Sequence, residues 1–256
     1  MKTFCFTVDD NIRFFREITE NNYESIFDHP YLAMYKRLHE EFSLKIQLNL
    51  FYKTDGFTLS DMTDKYRSEW EENSDWLKMS FHSEFENVNP YKESGYDEVY
   101  SDCNRVNREI LRLASEKTLA KTTTLHYCDT TEDGVRALAD NGVLGLLGIF
   151  GSEENPRTSY SLSEENARKI RKGEFLKVEN ISYSALSIVL NSFSADVILE
   201  KLKNLAVREH LNVMIHEQYF YPDYKRYHPS FENKLRVAFE FLKKNGYKSV
   251  FFEELI

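Results

Sequence analysis

Thr3-Phe4-Cys5-Phe6-Thr7-Val8-Asp9-Asp10-Asn11 opens the chain with an apolar run that ends in two adjacent carboxylates. The β-branched and aromatic content of the run predicts a buried strand, with the aspartates at its C-terminal end. The pair has two readings. Asp is favoured at a helix N-terminus, where its side chain caps backbone N–H groups and its charge meets the helix dipole. Alternatively it is a site element, since two neighbouring carboxylates raise each other's pKa wherever water is scarce. The remainder of the chain separates these readings.

Working outward, further β-rich runs stand at 44–51, 77–81, 121–127, 143–150, 211–215 and 249–252. Helical stripes lie between most of them: Tyr31, Tyr35, Leu38 and Phe42; Val106, Ile110 and Leu113; Ile198, Leu202 and Leu205. A last helix carries Phe231, Leu235, Ala238 and Leu242 on one face, starting after Pro229 and stopping at Gly246. Strand and helix alternating about seven times predicts an α/β fold with a parallel sheet, either closed into a (β/α) barrel or open and doubly wound. Chemistry then belongs at the C-terminal ends of the strands. The stretch 151–187 breaks the alternation and is expected to hold a short helix near 164–172 and a hairpin or extra strand near 175–178. No internal repeat or low-complexity linker divides the chain, so 1–256 reads as one domain with an irregular insertion near 151–187.

Composition narrows the function. The 256 residues are 41% hydrophobic and 14% aromatic, enough to bury a sizeable core. Net charge is −9 with the cations dispersed, which argues against a nucleic-acid partner and against an anionic membrane surface. No run approaches the length of a membrane span. Cys5, Cys103 and Cys128 are an odd set without framework spacing, read as inert core thiols in a reducing compartment. The first apolar run is too short for a signal peptide, so a cytoplasmic protein is expected.

The strand ends favour a site. The third run closes in His82-Ser83-Glu84-Phe85-Glu86, the fourth in His126-Tyr127-Cys128-Asp129 and a late one in His216-Glu217-Gln218. Three of the seven histidines, with the Asp pair, thus reach one face of one sheet. The other four, His29, His39, His210 and His228, read as surface or capping residues. Asp, His and Glu converging on one pocket is the material of a divalent metal site with an open water position. A nearby carboxylate would take the proton from that water and an imidazole would protonate the leaving group.

Val8-Asp9-Asp10-Asn11, His82-Ser83-Glu84-Phe85-Glu86 and Met214-Ile215-His216 resemble, in order and strand-end placement, the first, second and last motifs of the polysaccharide deacetylase superfamily, the NodB-like enzymes of carbohydrate esterase family 4. The resemblance implies a deformed (β/α) barrel of about seven parallel strands. It also implies metal-dependent hydrolysis of N-acetyl or O-acetyl groups on sugars, with zinc the first expectation and manganese, nickel, cobalt or iron as alternatives. Asp9 matches the family's catalytic base, Asp10 and His82 match metal ligands, and His216 matches the late general acid or electrostatic partner. Asn11 replaces the family's glycine, and Glu86 replaces its second ligand histidine. Glu86 is preferred as third ligand because its spacing from His82 is the family's; a carboxylate there would make the bound water less acidic and tolerate harder metals. The alternative is that His126 completes the site with Glu86 behind it.

The family's Arg-x-Pro-Tyr element has no counterpart after the fourth strand, where His126 and Tyr127 are expected to contact substrate instead, unless His126 only packs. Past His216, Glu217 and Tyr219 open an aromatic run through Tyr224 that would either stack on a sugar ring or fold inward over the barrel mouth. Trp70 and Trp76 read as core. The expected protein is a hydrolase acting on an acetylated sugar or sugar-linked precursor, a small carbohydrate partner. The alternatives are another metal-assisted C–N or phosphoester hydrolase and a non-catalytic carbohydrate-binding or regulatory relative.

Overall fold

The computed structural model describes residues 1–86 and 90–256. In chain order the first half comprises β1 (Thr3–Asn11), α1 (Arg13–Asn21), α2 (Pro30–Phe42), β2 (Ile46–Thr54), β3 (Phe57–Thr58), α3 (Arg67–Glu72), β4 (Leu77–Phe85) and α4 (Tyr96–Leu113). There follow β5 (Thr122–Thr123), α5 (Glu132–Asp140), β6 (Gly145–Gly148), α6 (Glu164–Arg171), β7 (Leu176–Val178), β8 (Ile181–Ala185), β9 (Ile188–Val189), α7 (Ala195–Leu205), β10 (His210–His216), α8 (Phe231–Lys244) and β11 (Lys248–Ser249).

The strands form two arcs of one deformed (β/α) barrel. In the larger arc β4, β2, β1, β10 and β9 run parallel in that order, and β11 pairs the start of β1. In the smaller, β5, β6 and β8 run parallel and β7 folds back antiparallel on β8. A few backbone bonds stitch the arcs at both seams: Met79 N–H to Thr118 O and Ala120 N–H to Met79 O, each 2.8 Å, on one side, and Ser187 N–H to Asn212 O, 2.8 Å, on the other. Seven parallel strands, β1, β2, β4, β5, β6, β8 and β10, thereby line one interior. The stretch 151–187 holds α6 and the β7–β8 hairpin, and β8 is itself one of the seven.

The helices bury the stripes read from the sequence. Tyr31, Tyr35 and Leu38 of α2, Val106, Ile110 and Leu113 of α4, and Leu235, Ala238 and Leu242 of α8 are all inaccessible, as is Trp70; Trp76 is nearly so. All three cysteines are buried and free. Among the described residues, no helix is long and apolar enough to cross a membrane.

Inside the barrel the filling is polar on one side. Gln47 and Asn49 of β2, Ser80 of β4 and Thr122 and Thr123 of β5 form a buried network: the Gln47 amide donates to Asn49 Oδ1 (2.8 Å) and to Thr122 O (2.8 Å), and Ser80 Oγ donates to Asn49 Oδ1 (2.6 Å). Satisfied networks of this kind fix one arrangement of neighbouring strands.

Asn11 closes β1. It is fully buried, donating from Nδ2 to Val8 O (2.5 Å) and Asn49 O (3.1 Å) and accepting at Oδ1 from the Tyr31 hydroxyl (3.0 Å). Glycine here would strip these bonds and leave the Tyr31 hydroxyl buried without its acceptor. Asn11→Gly is expected to lower unfolding free energy by about 2–4 kcal/mol. Chemical denaturation checks this; a loss under 1 kcal/mol, in order-of-magnitude terms, would show that the bonds are dispensable.

Candidate active site

Asp10 sits at φ +64°, a region non-glycine residues seldom occupy, and the pairing of β1 with β2 shifts register between Val8 and Asn11. Neighbouring side chains of a regular strand point to opposite faces. The kink at Asp10 instead turns Asp9 and Asp10 into the wall of one cleft of about 590 Å³, which His82, Glu86, His126, Tyr127, Asn191, His216, Gln218, Tyr219 and Tyr224 also line. Backbone in such a region persists only where its surroundings over-determine it. Here Asn11 holds it on one side and Glu217 on the other.

Asp10, His82 and His126 each bring one ligand atom within 4.8 Å of the others. His82 Nδ1 lies 2.5 Å from Thr124 O, and because a carbonyl only accepts, this nitrogen carries the proton. Its Nε2 is then a lone pair, 3.0 Å from Asp10 Oδ1 and 3.1 Å from His126 Nδ1. Burial is the main influence on His82 and lowers its pKa despite the opposing effect of Asp10, so the imidazole is neutral. One carboxylate oxygen with two imidazoles is a donor set suited to a divalent cation, and the bond to Thr124 O orients His82 as outer contacts of metal-bound histidines do.

The two aspartates titrate apart. Burial pushes Asp9 well above the ordinary carboxylate range, Asp10's charge adds to this, and a 2.6 Å hydrogen bond from Asn49 Nδ2 offsets it only in part. Burial also acts to raise Asp10, but the neighbouring imidazoles of His216, His126 and His82 prevail and hold it well below that range. Environments that separate two like groups assign them different duties: Asp10 stays ionised, and Asp9 is the better proton acceptor. Across the cleft His216 Nδ1 meets Asn191 Oδ1 at 2.9 Å, and burial lowers its pKa.

The structure sorts the residues expected from the sequence. Asp9, Asp10, His82, His126, Tyr127, His216 and Tyr219 all reach the cleft, and so does Glu86, as an exposed side chain outside the Asp10–His82–His126 group. Tyr127 is 54% exposed on a left-handed backbone. Glu217 requires a correction: expected at the substrate, it is fully buried away from the cleft. Its carboxylate accepts the backbone N–H groups of Ile12, Arg13 and Phe14 (2.7, 3.0 and 2.8 Å), with the Tyr221 hydroxyl at 3.1 Å. It caps α1 from the end of the adjacent strand β10, meeting the unpaired donors of the helix start. The aromatic run divides likewise. Tyr219 and Tyr224 face the cleft, while Phe220 packs on Tyr31 and Phe231 and Tyr221 is buried under Arg13. Sequence reading missed Asn49, Asn191 and Gln218, amides that hold the ionisable groups and carry no titratable signal of their own.

No family model and no curated protein sequence matches the chain. Solved structures do resemble it. A carbohydrate esterase family 4 pseudoenzyme from Bacillus anthracis superposes with TM-score 0.53 at 12% identity, over 99% of this chain and 65% of that one. This chain thus spans just under two thirds of that protein. A peptidoglycan N-acetylglucosamine deacetylase, solved with 4-naphthalen-1-yl-N-oxidanyl-benzamide, gives 0.56 at 14% identity over 99% and 87%. The 4-α-glucanotransferase of Thermococcus litoralis gives 0.60 at 13% identity over 99% and 40%. At these identities the likeness is one of fold: the chain has the deformed barrel seen in polysaccharide deacetylases, and that barrel also carries other carbohydrate chemistry.

Burial raises the Glu217 carboxyl from 4.5 to about 7, against the bonds that favour its charge. A folded-state pKa above the unfolded one means the folded chain binds the extra proton, so stability should fall as pH rises from about 4.5 to about 7. Glu217→Gln cannot titrate and sets an NH2 group against N–H donors. It is expected to be less stable by about 2–4 kcal/mol and to lose that slope. Thermal denaturation across pH 4–8 tests this, and a variant that keeps the wild-type slope would locate the titration elsewhere.

Proposed function

We propose that the chain is a metal-dependent hydrolase that removes an acetyl group from a sugar or sugar-linked precursor. One observation carries the reading: two buried aspartates of opposite pKa displacement share a cleft with two convergent histidines and a third across from them. Asp10, His82 and His126 would hold the metal. Zinc suits two imidazoles and a carboxylate, and manganese, nickel, cobalt and iron use the same donors. Bound there, a metal supplies Lewis acidity toward a carbonyl and lowers the pKa of water.

The chain's own groups supply the rest. Asp9, held by Asn49 and raised in basicity by burial, accepts the proton of the attacking water. His216, anchored through Nδ1 on Asn191, leaves Nε2 for proton exchange with the departing nitrogen or oxygen. Tyr127, Tyr219 and Tyr224 give the cleft walls the apolar faces and hydroxyls that suit a sugar ring. A cytoplasmic setting and an intracellular precursor substrate belong to the same proposal. A non-catalytic relative would have no need to keep Asp9 and Asp10 buried together on a strained backbone.

Protein purified without chelator is expected to carry about one metal ion per chain, on the stoichiometry of a single-ion catalytic site. Asp10→Ala, His82→Ala and His126→Ala should abolish it, and Glu86→Gln should retain it. Asp9→Asn should keep the metal and lose acetate release from acetylated sugars by roughly 100-fold or more. Wild type that takes up no zinc, manganese, nickel or cobalt would sink the hydrolase reading; full metal loading without acetate release would favour the non-catalytic one.

A further inference from the structure

Gln218 follows β10 in the short turn beside the cleft, and its amide nitrogen lies 2.5 Å from Asp10 Oδ2. An ionised carboxylate only accepts, so chemistry fixes the orientation of this amide: nitrogen toward Asp10, oxygen away. Two consequences follow. Asp10 has one oxygen, Oδ2, committed to Gln218 and the other, Oδ1, directed at His82 and His126. Gln218 Oε1, on the same carbon as that nitrogen, is buried beside the cleft with no hydrogen-bond partner among the described residues. Tyr224 lines the cleft beside this amide. A buried acceptor left unpaired is unfavourable, and a ligand that donates to it relieves that cost.

We infer that Gln218 is a positioning and specificity residue, which fixes the ligating oxygen of Asp10 and accepts an N–H from the substrate at Oε1, so that the site selects an N-acetyl group over an O-acetyl one. This inference rests on the proposed acetyl-hydrolase reading and deepens it. Because Oε1 is geminal to the nitrogen bound to Asp10, a donor that reaches it lies next to the reacting bond. An acetamide has an N–H to offer there, whereas an acetate ester places a second acceptor against Oε1. Sites built around a substrate hydrogen bond discriminate strongly against analogues that lack it.

N-acetylglucosamine and its 2-O-acetyl counterpart differ at that position alone. Their binding to wild type and to Gln218→Met, a substitution of similar length without the acceptor, can be measured by ligand-observed NMR alongside acetate release. Wild type is expected to bind the N-acetyl sugar at least 10-fold more tightly, and Gln218→Met to bring the two within about 2-fold, with Gln218→Glu failing to restore the preference because its charge repels Asp10. Cobalt affinity of Gln218→Met should fall roughly 10-fold, the usual effect of losing a group that orients a ligand. Binding answers even where catalysis is silent. A preserved binding preference without acetate release would overturn the hydrolase reading and keep the role of Gln218. Equal binding of the two sugars by wild type, or a preference unchanged in Gln218→Met, would overturn the inference whatever the activity.

Discussion

Two carboxylates on consecutive residues of a strand ought to face apart, and the molecule is organised around preventing that. The left-handed backbone of Asp10 and the slipped register beside it turn both side chains into one cleft. The conformation costs of order 1–3 kcal/mol in isolation. Its supports come from four directions: Asn11 bonds back to Val8 and across to β2, Tyr31 of α2 bonds to Asn11, Asn49 holds Asp9, and Glu217 gathers the three N–H groups that follow the kink. Each support lies on a different element, so the barrel must be assembled before the aspartate pair can exist. The fold and the site are in this sense one structure.

Charge explains the next layer. Placing Asp9 and Asp10 together out of water is unfavourable unless one is neutralised or a cation is supplied. The groups that touch the ionisable residues from behind are amides, Asn49 on Asp9, Gln218 on Asp10 and Asn191 on His216. Amides orient without compensating charge. The chain thus fixes where each lone pair points, while burial holds the Asp9 carboxyl well above the ordinary range and the imidazoles around Asp10 favour its charge, an arrangement that suits the proposed metal site.

Much of this was legible in the sequence because parallel α/β folds deliver strand ends to one face. His82, His126 and His216 are far apart in the chain yet fall at the ends of β4, beside β5 and at the end of β10. The sequence left the third member of the Asp10–His82 group open between Glu86, preferred on spacing, and His126, and the reason spacing could not decide is geometric. A spacing of four residues returns a side chain to the same place only if the backbone turns, and β4 continues extended to Phe85. Four extended residues advance the chain about 13 Å, which carries Glu86 toward the rim. His126, one strand over, stands beside His82 instead. Likewise β8 was hidden because Ile181-Ser182-Tyr183-Ser184 alternates with serines that suggest a surface, although they are buried and Ser184 bonds to Asn212.

Glu217 shows the converse error and its cause. It stands between His216 and Gln218, both of which line the cleft, so proximity in sequence suggested a shared role. After β10 the chain enters a tight turn, and successive side chains there diverge, sending Glu217 under α1 while its neighbours stay in the cleft. The same short turn that presents Gln218 to Asp10 anchors, through Glu217, the N–H groups immediately after the kinked aspartates. A perturbation of Glu217 therefore reaches Asp10 by two routes, through the start of α1 and through Gln218. Residues remote from the cleft thereby set how the Asp10 carboxylate is presented, since what they hold is the backbone that makes a strand pair of aspartates face the same way.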